Sequence, residues 1–198
     1  MNRHDIICLP HPSLREPSED ARVPSKEIQA LVDSMEQATL DWEKHREHEV
    51  GVALAAVQID RNVRVIIIRR DIDDKDNPIF EVYVNPIITR FEGNPIMELE
   101  GCLSVRDVYG KVARYPRVKV KALDLAGKPI KRVAKGFLAR VFQHEIDHTQ
   151  GLTFVDRVGS KGSYFSLEAD GSMNRLRPAE RQAFLKRVGY PALATKTK

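Results

Sequence analysis

The chain has 198 residues; 32 Lys and Arg stand against 28 Asp and Glu, for a formal net charge of +4 with histidine neutral. At 42 % hydrophobic and 30 % charged residues, it can close one compact core, and fibrous, collagen-like and wholly disordered classes are excluded. Two cysteines, Cys8 and Cys102, cannot build a disulfide framework. The first apolar run, 6–9, is too short for a signal peptide, and no stretch approaches the roughly 18 apolar residues of a membrane span. A cytoplasmic protein is expected, with neither a membrane nor DNA as partner.

In chain order, the segment after Pro24 places Ile28, Leu31, Val32, Met35, Ala38 and Trp42 on one helical stripe, with Ser25 as N-cap. The helix should end in the charged stretch 43–49. Residues 63–68 and 80–84 are β-branched apolar runs and read as strands, separated by an acidic loop over 71–78. Val118, Val120 and Ala122 alternate with lysines in a half-exposed strand, which turns at Ala126-Gly127 into a returning strand over 129–133. Gly136 introduces a helix with Leu138, Val141, Phe142 and Ile146 on its apolar side and Gly151 as its stop. Residues 159–172 read as a Gly/Ser-rich loop, and a last basic helix is expected over 178–188. The order of elements predicts an α+β fold. Its antiparallel sheets would pack around the central helix, with an amphipathic helix before them and a basic helix and tail after.

The central helix carries His144-Glu145-Ile146-Asp147-His148. Positions i and i+4 share one helical face, so both imidazoles can reach one metal ion, and Glu145 lies beside that face where its carboxylate can meet a water. A hydrolytic site needs a third ligand. The pattern with a further histidine after Gly151 fails, because Phe154 stands in the ligand place. Glu168 is one remaining candidate and Cys102, in Glu100-Gly101-Cys102-Leu103-Ser104, is another.

Three segments together, Gly51-Val52-Ala53-Leu54-Ala55-Ala56-Val57-Gln58, Glu100-Gly101-Cys102-Leu103-Ser104 and Gln143-His144-Glu145-Ile146-Asp147-His148, resemble the three motifs of the peptide deformylases, in the family's order. The resemblance covers about 5–158 and implies a catalytic domain over 1–158, with 159–198 as loop, basic helix and tail. It implies a divalent metal held by Cys102, His144 and His148, Fe²⁺ first and Zn²⁺, Ni²⁺ or Co²⁺ as alternatives. Glu145 would be the general acid/base, with Gln58 and the backbone N–H of Leu103 facing the substrate carbonyl oxygen. Gly51, Val52, Ala53, Gly101 and Val141 would line the groove for an N-formylmethionyl peptide, and formate would be released.

Three positions depart from the family's pattern: Ala53 stands where a glycine is usual, Val57 where proline is common, and Thr149 where leucine is common. The two other readings are a related amidase or peptidase on a different acylated substrate, and a non-catalytic relative that binds peptide or ribosome. Residues 173–198 hold seven cations (Arg175, Arg177, Arg181, Lys186, Arg187, Lys196 and Lys198) against Glu180 alone, which suggests contact with ribosomal RNA. Cys8 is left without a role.

Overall fold

The computed structural model describes residues 6–46, 48–74 and 77–190. Helix α1, Lys26–Glu43, starts where the Ser25 hydroxyl accepts from the Ile28 N–H, and it buries the expected stripe from Ile28 to Trp42. Each of those large apolar side chains contributes about 1.5–3 kcal/mol when fully buried. Two antiparallel sheets follow. The five-stranded sheet has the order β1 (Ala53–Ala55), β2 (Val65–Arg69), β3 (Phe80–Glu92), β6 (Arg117–Leu123), β7 (Pro129–Lys135). The four-stranded sheet has the order β4 (Ile96–Cys102), β5 (Val105–Arg114), β8 (Tyr164–Leu167), β9 (Met173–Arg175).

Helix α2, Gly136–His148, lies between the sheets, and all but its first three residues are buried. One core cluster surrounds it, with Phe142, Ile146, Val118, Val120 and Phe154. A second sits under α1, where Leu54, Val65, Ile67 and Val84 meet Leu31 and Met35. The alternation along β6 decides the faces: Val118, Val120 and Ala122 point to the first cluster while the residues between them point away. Gly151 stops the chain after α2 with φ of 73°, and a Cβ there would stand 2.5 Å from the Arg15 carbonyl oxygen, so only glycine fits.

Two expectations change, and several elements had no counterpart among them. The strand expected over 80–84 runs on to Glu92, past Asn85-Pro86. Asn85 takes φ of 51°, its amide bonds both backbone groups of Ala21, and the ladder resumes after a bulge. Strands β1, β4 and β5 lacked a clear period-2 signal, β4 because Ile96, Met97 and Leu99 are all exposed. The Gly/Ser-rich stretch expected as loop contains β8, whose hydrogen-bond partners come from β5, more than fifty residues away in sequence. Two short elements were also unexpected: β9, paired with β8, and helix α3, Phe154–Val158, capped by Thr153 and Asp156. The last helix is α4, Pro178–Arg187, as expected, and Phe184, Leu185 and Val188 join the core around α2. The basic tail expected after it, from residue 191 on, lies outside the described residues.

Candidate metal centre

The β4–β5 hairpin is tight. Cys102 pairs with Val105 after a register shift at Glu100, and this irregular turn delivers Cys102 to the side of α2. His144 and His148, one helical turn apart, have ring centroids 5.0 Å apart. The Cys102 Sγ lies 3.2 Å from His148 Nε2, and one donor atom from each of the three residues falls within 4.8 Å of the others. One soft thiol and two imidazoles suit zinc or ferrous iron. Among the described residues no other group of three metal-ligating side chains comes together in this way. The donor set therefore fits a divalent transition metal.

His144 is held from behind. Its Nδ1 lies 3.1 Å from Glu100 Oε2, and Arg114 grips the same carboxylate with two bonds of 2.8 and 3.0 Å. Arg140 adds a third, at 2.7 Å, and Arg114 continues to Asp147 at 2.5 Å. Asp147 in turn receives Arg157. A carboxylate on the far nitrogen fixes a ligating imidazole's tautomer and orientation. Burial would push the Glu100 carboxyl up, but the His144 and Arg114 bonds and charges hold it well below the usual carboxylate range. Burial and the neighbouring His144 keep His148 well below an ordinary histidine, so it stays neutral and able to ligate.

Glu145 is 5 % exposed, and its Oε2 has no hydrogen-bond partner. Burial is the main cause that pushes its pKa up to about 7. Gln58 is fixed by its own backbone turn: its Oε1 accepts from the Ala55 N–H at 2.9 Å, which aims Nε2 at Ser104 Oγ, 3.1 Å away, beside Cys102 Sγ at 3.6 Å. A cavity of about 290 Å³ opens above these groups. Gln58, Cys102, His144 and Glu145 form its polar floor, with Leu103 beside them, and Trp42, Leu99, Phe137 and Val141 its apolar wall.

Of the expected groove residues, Val52, Ala53, Gly101 and Val141 line this cavity. Gly51 stands behind it, packed on α1: its N–H donates to Glu43, and a Cβ would meet the Thr39 side chain at 2.5 Å. Gly101 admits Tyr109, whose ring carbon would lie 2.5 Å from a Cβ there and whose hydroxyl donates to Glu49. Glu168 is remote from the centre, bonded to Ser166 at the end of β8, and Phe154 is core. Val57 and Thr149 are both buried packing positions, 1 % and 2 % exposed. Cys8 lies against the Leu103 carbonyl, and burial pushes its thiol up. The residues that sequence reasoning passed over are Arg114, Arg140 and Tyr109, together with the role of Glu100. Nothing local marks them, because their partners are distant in sequence.

The sequence matches the polypeptide deformylase family over residues 3–163. It belongs to that family. A peptide deformylase of Rhodopirellula baltica is 40 % identical over 158 residues, 79 % of this chain and 74 % of the relative. One of Aquifex aeolicus is 38 % identical over 164 residues, 83 % of this chain and 92 % of the relative. The fold is similar to a Synechococcus elongatus peptide deformylase solved in complex with actinonin. That likeness has a TM-score of 0.75 and 30 % identity over 98 % of this chain and 91 % of the other. A Legionella pneumophila deformylase gives a TM-score of 0.70 at 34 % identity, covering 93 % and 92 % of the two chains. The deformylase reading of the three motifs therefore stands, as does a metal-dependent hydrolase with an α+β fold. Neither alternative reading, the other amidase or the non-catalytic relative, gains support.

Proposed function

We propose that this deformylase-family chain hydrolyses the formyl amide of N-formylmethionyl nascent peptides in the cytoplasm, releasing formate and a free amino terminus. The observation that carries the reading is the meeting of Cys102, His144 and His148 beside Glu145, a buried carboxyl with an unpartnered oxygen at the floor of an apolar-walled cavity. Cys102, His144 and His148 would hold Fe²⁺, with Zn²⁺, Ni²⁺ or Co²⁺ able to replace it. When bound, such an ion supplies Lewis acidity, polarising a carbonyl and making water acidic enough to yield hydroxide near neutrality.

The protein's own groups do the rest. Glu145 takes the proton of the attacking water and delivers it to the departing amine, so its unpartnered oxygen is the useful one. As the formyl carbon becomes tetrahedral, charge gathers on its oxygen, where the Gln58 Nε2–H and the Leu103 N–H would donate. One such donor is worth about 2.7–4 kcal/mol in comparable sites. Val52, Ala53, Gly101 and Val141 flank the peptide, and the apolar wall receives the methionine side chain. Gly51 would act through the position of Val52 and Ala53, since it supports that strand from behind. All these residues fall within 1–158, which we take as the catalytic unit; 159–198 packs onto it through β8 and α4 and adds a basic helix and tail that would touch ribosomal RNA. No described helix is long and apolar enough to cross a membrane.

The test is formate release from a formyl-Met tripeptide by anaerobically prepared protein. Glu145→Gln should lower the rate by about 10²–10⁴-fold with metal content unchanged. A metal-loaded wild type inert on several formylated peptides would refute the reading, and equal turnover of formyl and acetyl substrates would move it to a broader amidase.

A further inference from the structure

The five-stranded sheet presents one face to α2. Its other face is covered by α1 over β1, β2 and the start of β3, where Leu54, Val65, Ile67 and Val84 are buried. Beyond that cover the same face continues across the rest of β3, β6 and β7, and there it is cationic. Strand β6 places Arg117, Lys119 and Lys121 on it, between the buried Val118, Val120 and Ala122. The register sets Lys135 opposite Arg117, Lys131 opposite Lys121, and Arg90 opposite Lys119. Like charges directly opposite each other destabilise a sheet. A single acid, Glu92, offsets them, with Arg90 at 3.2 Å, Arg117 at 2.7 Å and Lys119 at 3.5 Å. Among the described residues Lys121, Lys131 and Lys135 pair with no carboxylate.

Lysine on an edge strand guards against edge-to-edge pairing. That accounts for Lys131 and Lys135 on β7, which is an edge, but not for Lys119 and Lys121 on the inner strand β6 or Arg90 on β3. Strand geometry spaces these charges about 7 Å apart along a strand and about 4.8 Å across, a grid that suits a run of phosphates. A membrane surface would call for large apolar anchors among the cations, and the exposed apolar side chains of this face are only Ile87 and Val133.

We propose that this open face of β3, β6 and β7 docks RNA through its phosphate backbone. The choice of RNA among polyanions rests on the function proposed above, since a formylated amino terminus belongs to a chain still being made on an RNA-rich particle. The placement agrees: Lys135 ends β7, and Gly136 leads at once into Phe137 at the cavity wall. RNA on this face would lie beside the entrance to the metal centre, independently of the C-terminal tail.

The test is binding of a short, fluorescein-labelled single-stranded RNA to the full chain by anisotropy, as a function of salt. Each phosphate contact contributes about 0.7 to the log–log salt slope. The pair Lys121→Gln/Lys131→Gln should therefore flatten the slope by about 1.4 and weaken binding roughly tenfold at physiological salt. Lys121→Arg/Lys131→Arg should keep wild-type binding, and Lys196→Gln/Lys198→Gln in the tail, which has its own proposed RNA contact, should leave the loss caused by the face pair unchanged. Formate release from a free formyl-Met tripeptide should be the same in all of these variants. Unchanged affinity and slope in the glutamine pair would overturn the proposal. So would loss confined to the tail variant, or a face variant that loses binding to phosphatidylserine vesicles while holding RNA as before. If RNA binds as expected and no formate is released, the docking face stands and the deformylase reading falls.

Discussion

Replacing Glu100 by glutamine removes the charge that joins His144, Arg114 and Arg140. In the wild type its carboxylate takes four contacts, from His144 Nδ1 at 3.1 Å, Arg114 at 2.8 and 3.0 Å and Arg140 at 2.7 Å, in a site only 6 % exposed. Removing one partner of a buried ion pair costs about 3–5 kcal/mol, because the other is left uncompensated. Here the lower end applies: Arg114 keeps Asp147, and Arg140 keeps Glu98 and the carbonyls of Ile96 and Val112. About 3 kcal/mol in a chain of this size lowers Tm by roughly 6–12 °C. The amide also presents a donor or a neutral acceptor to His144 Nδ1, so metal affinity should fall about 10–100-fold. Thermal melts of the apo protein give the first quantity, and chelator competition with the loaded protein gives the second. A Tm within 2 °C of wild type together with unchanged metal affinity would refute the argument that this carboxylate both holds the buried arginines and aims His144.

Three further outcomes follow from the same geometry. Glu100 is held below its ordinary 4.5 in the folded protein, so the unfolded chain takes up its proton first; the stability this gives is present above about pH 4.5 and lost as pH falls through the lower folded value. Melts from about pH 6 to about pH 3 should therefore show a steeper fall for wild type than for Glu100→Gln, and parallel curves would contradict the depressed value. Gln58→Ala should cost about 10²–10³ in kcat, as loss of one oxyanion donor does elsewhere, with metal content intact; a change confined to KM would mean that the amide binds substrate without meeting the developing charge. Gly101→Ala drives a methyl group into the Tyr109 ring, a clash expected to cost about 1–3 kcal/mol, and a second change, Tyr109→Ala, should relieve it. A single variant as stable as wild type would show that the ring yields freely.

What the sequence determined by itself is local or motif-borne. The stripe from Ile28 to Trp42, the Ser25 cap, the alternation of Val118, Val120 and Ala122, and the two histidines one turn apart all follow from helical and strand periods. The three motifs carried the family, and the resemblance pointed to Cys102 over Glu168 as the third ligand, a choice that no periodicity could have made. Tertiary structure decided what depends on partners far away in the chain. Strand β8 exists because β5 supplies its ladder, and β3 passes Pro86 because Asn85 can bulge against Ala21. The same holds for Arg114, which reaches the metal centre only because β5 runs back along β4 and faces α2. The sequence drew attention to the cations of 173–198, but the folded sheet gathers Arg117, Lys119, Lys121, Lys131 and Lys135 onto one open face. Net charge is a sum over the chain, whereas a field that a partner meets depends on which side of a strand each residue faces.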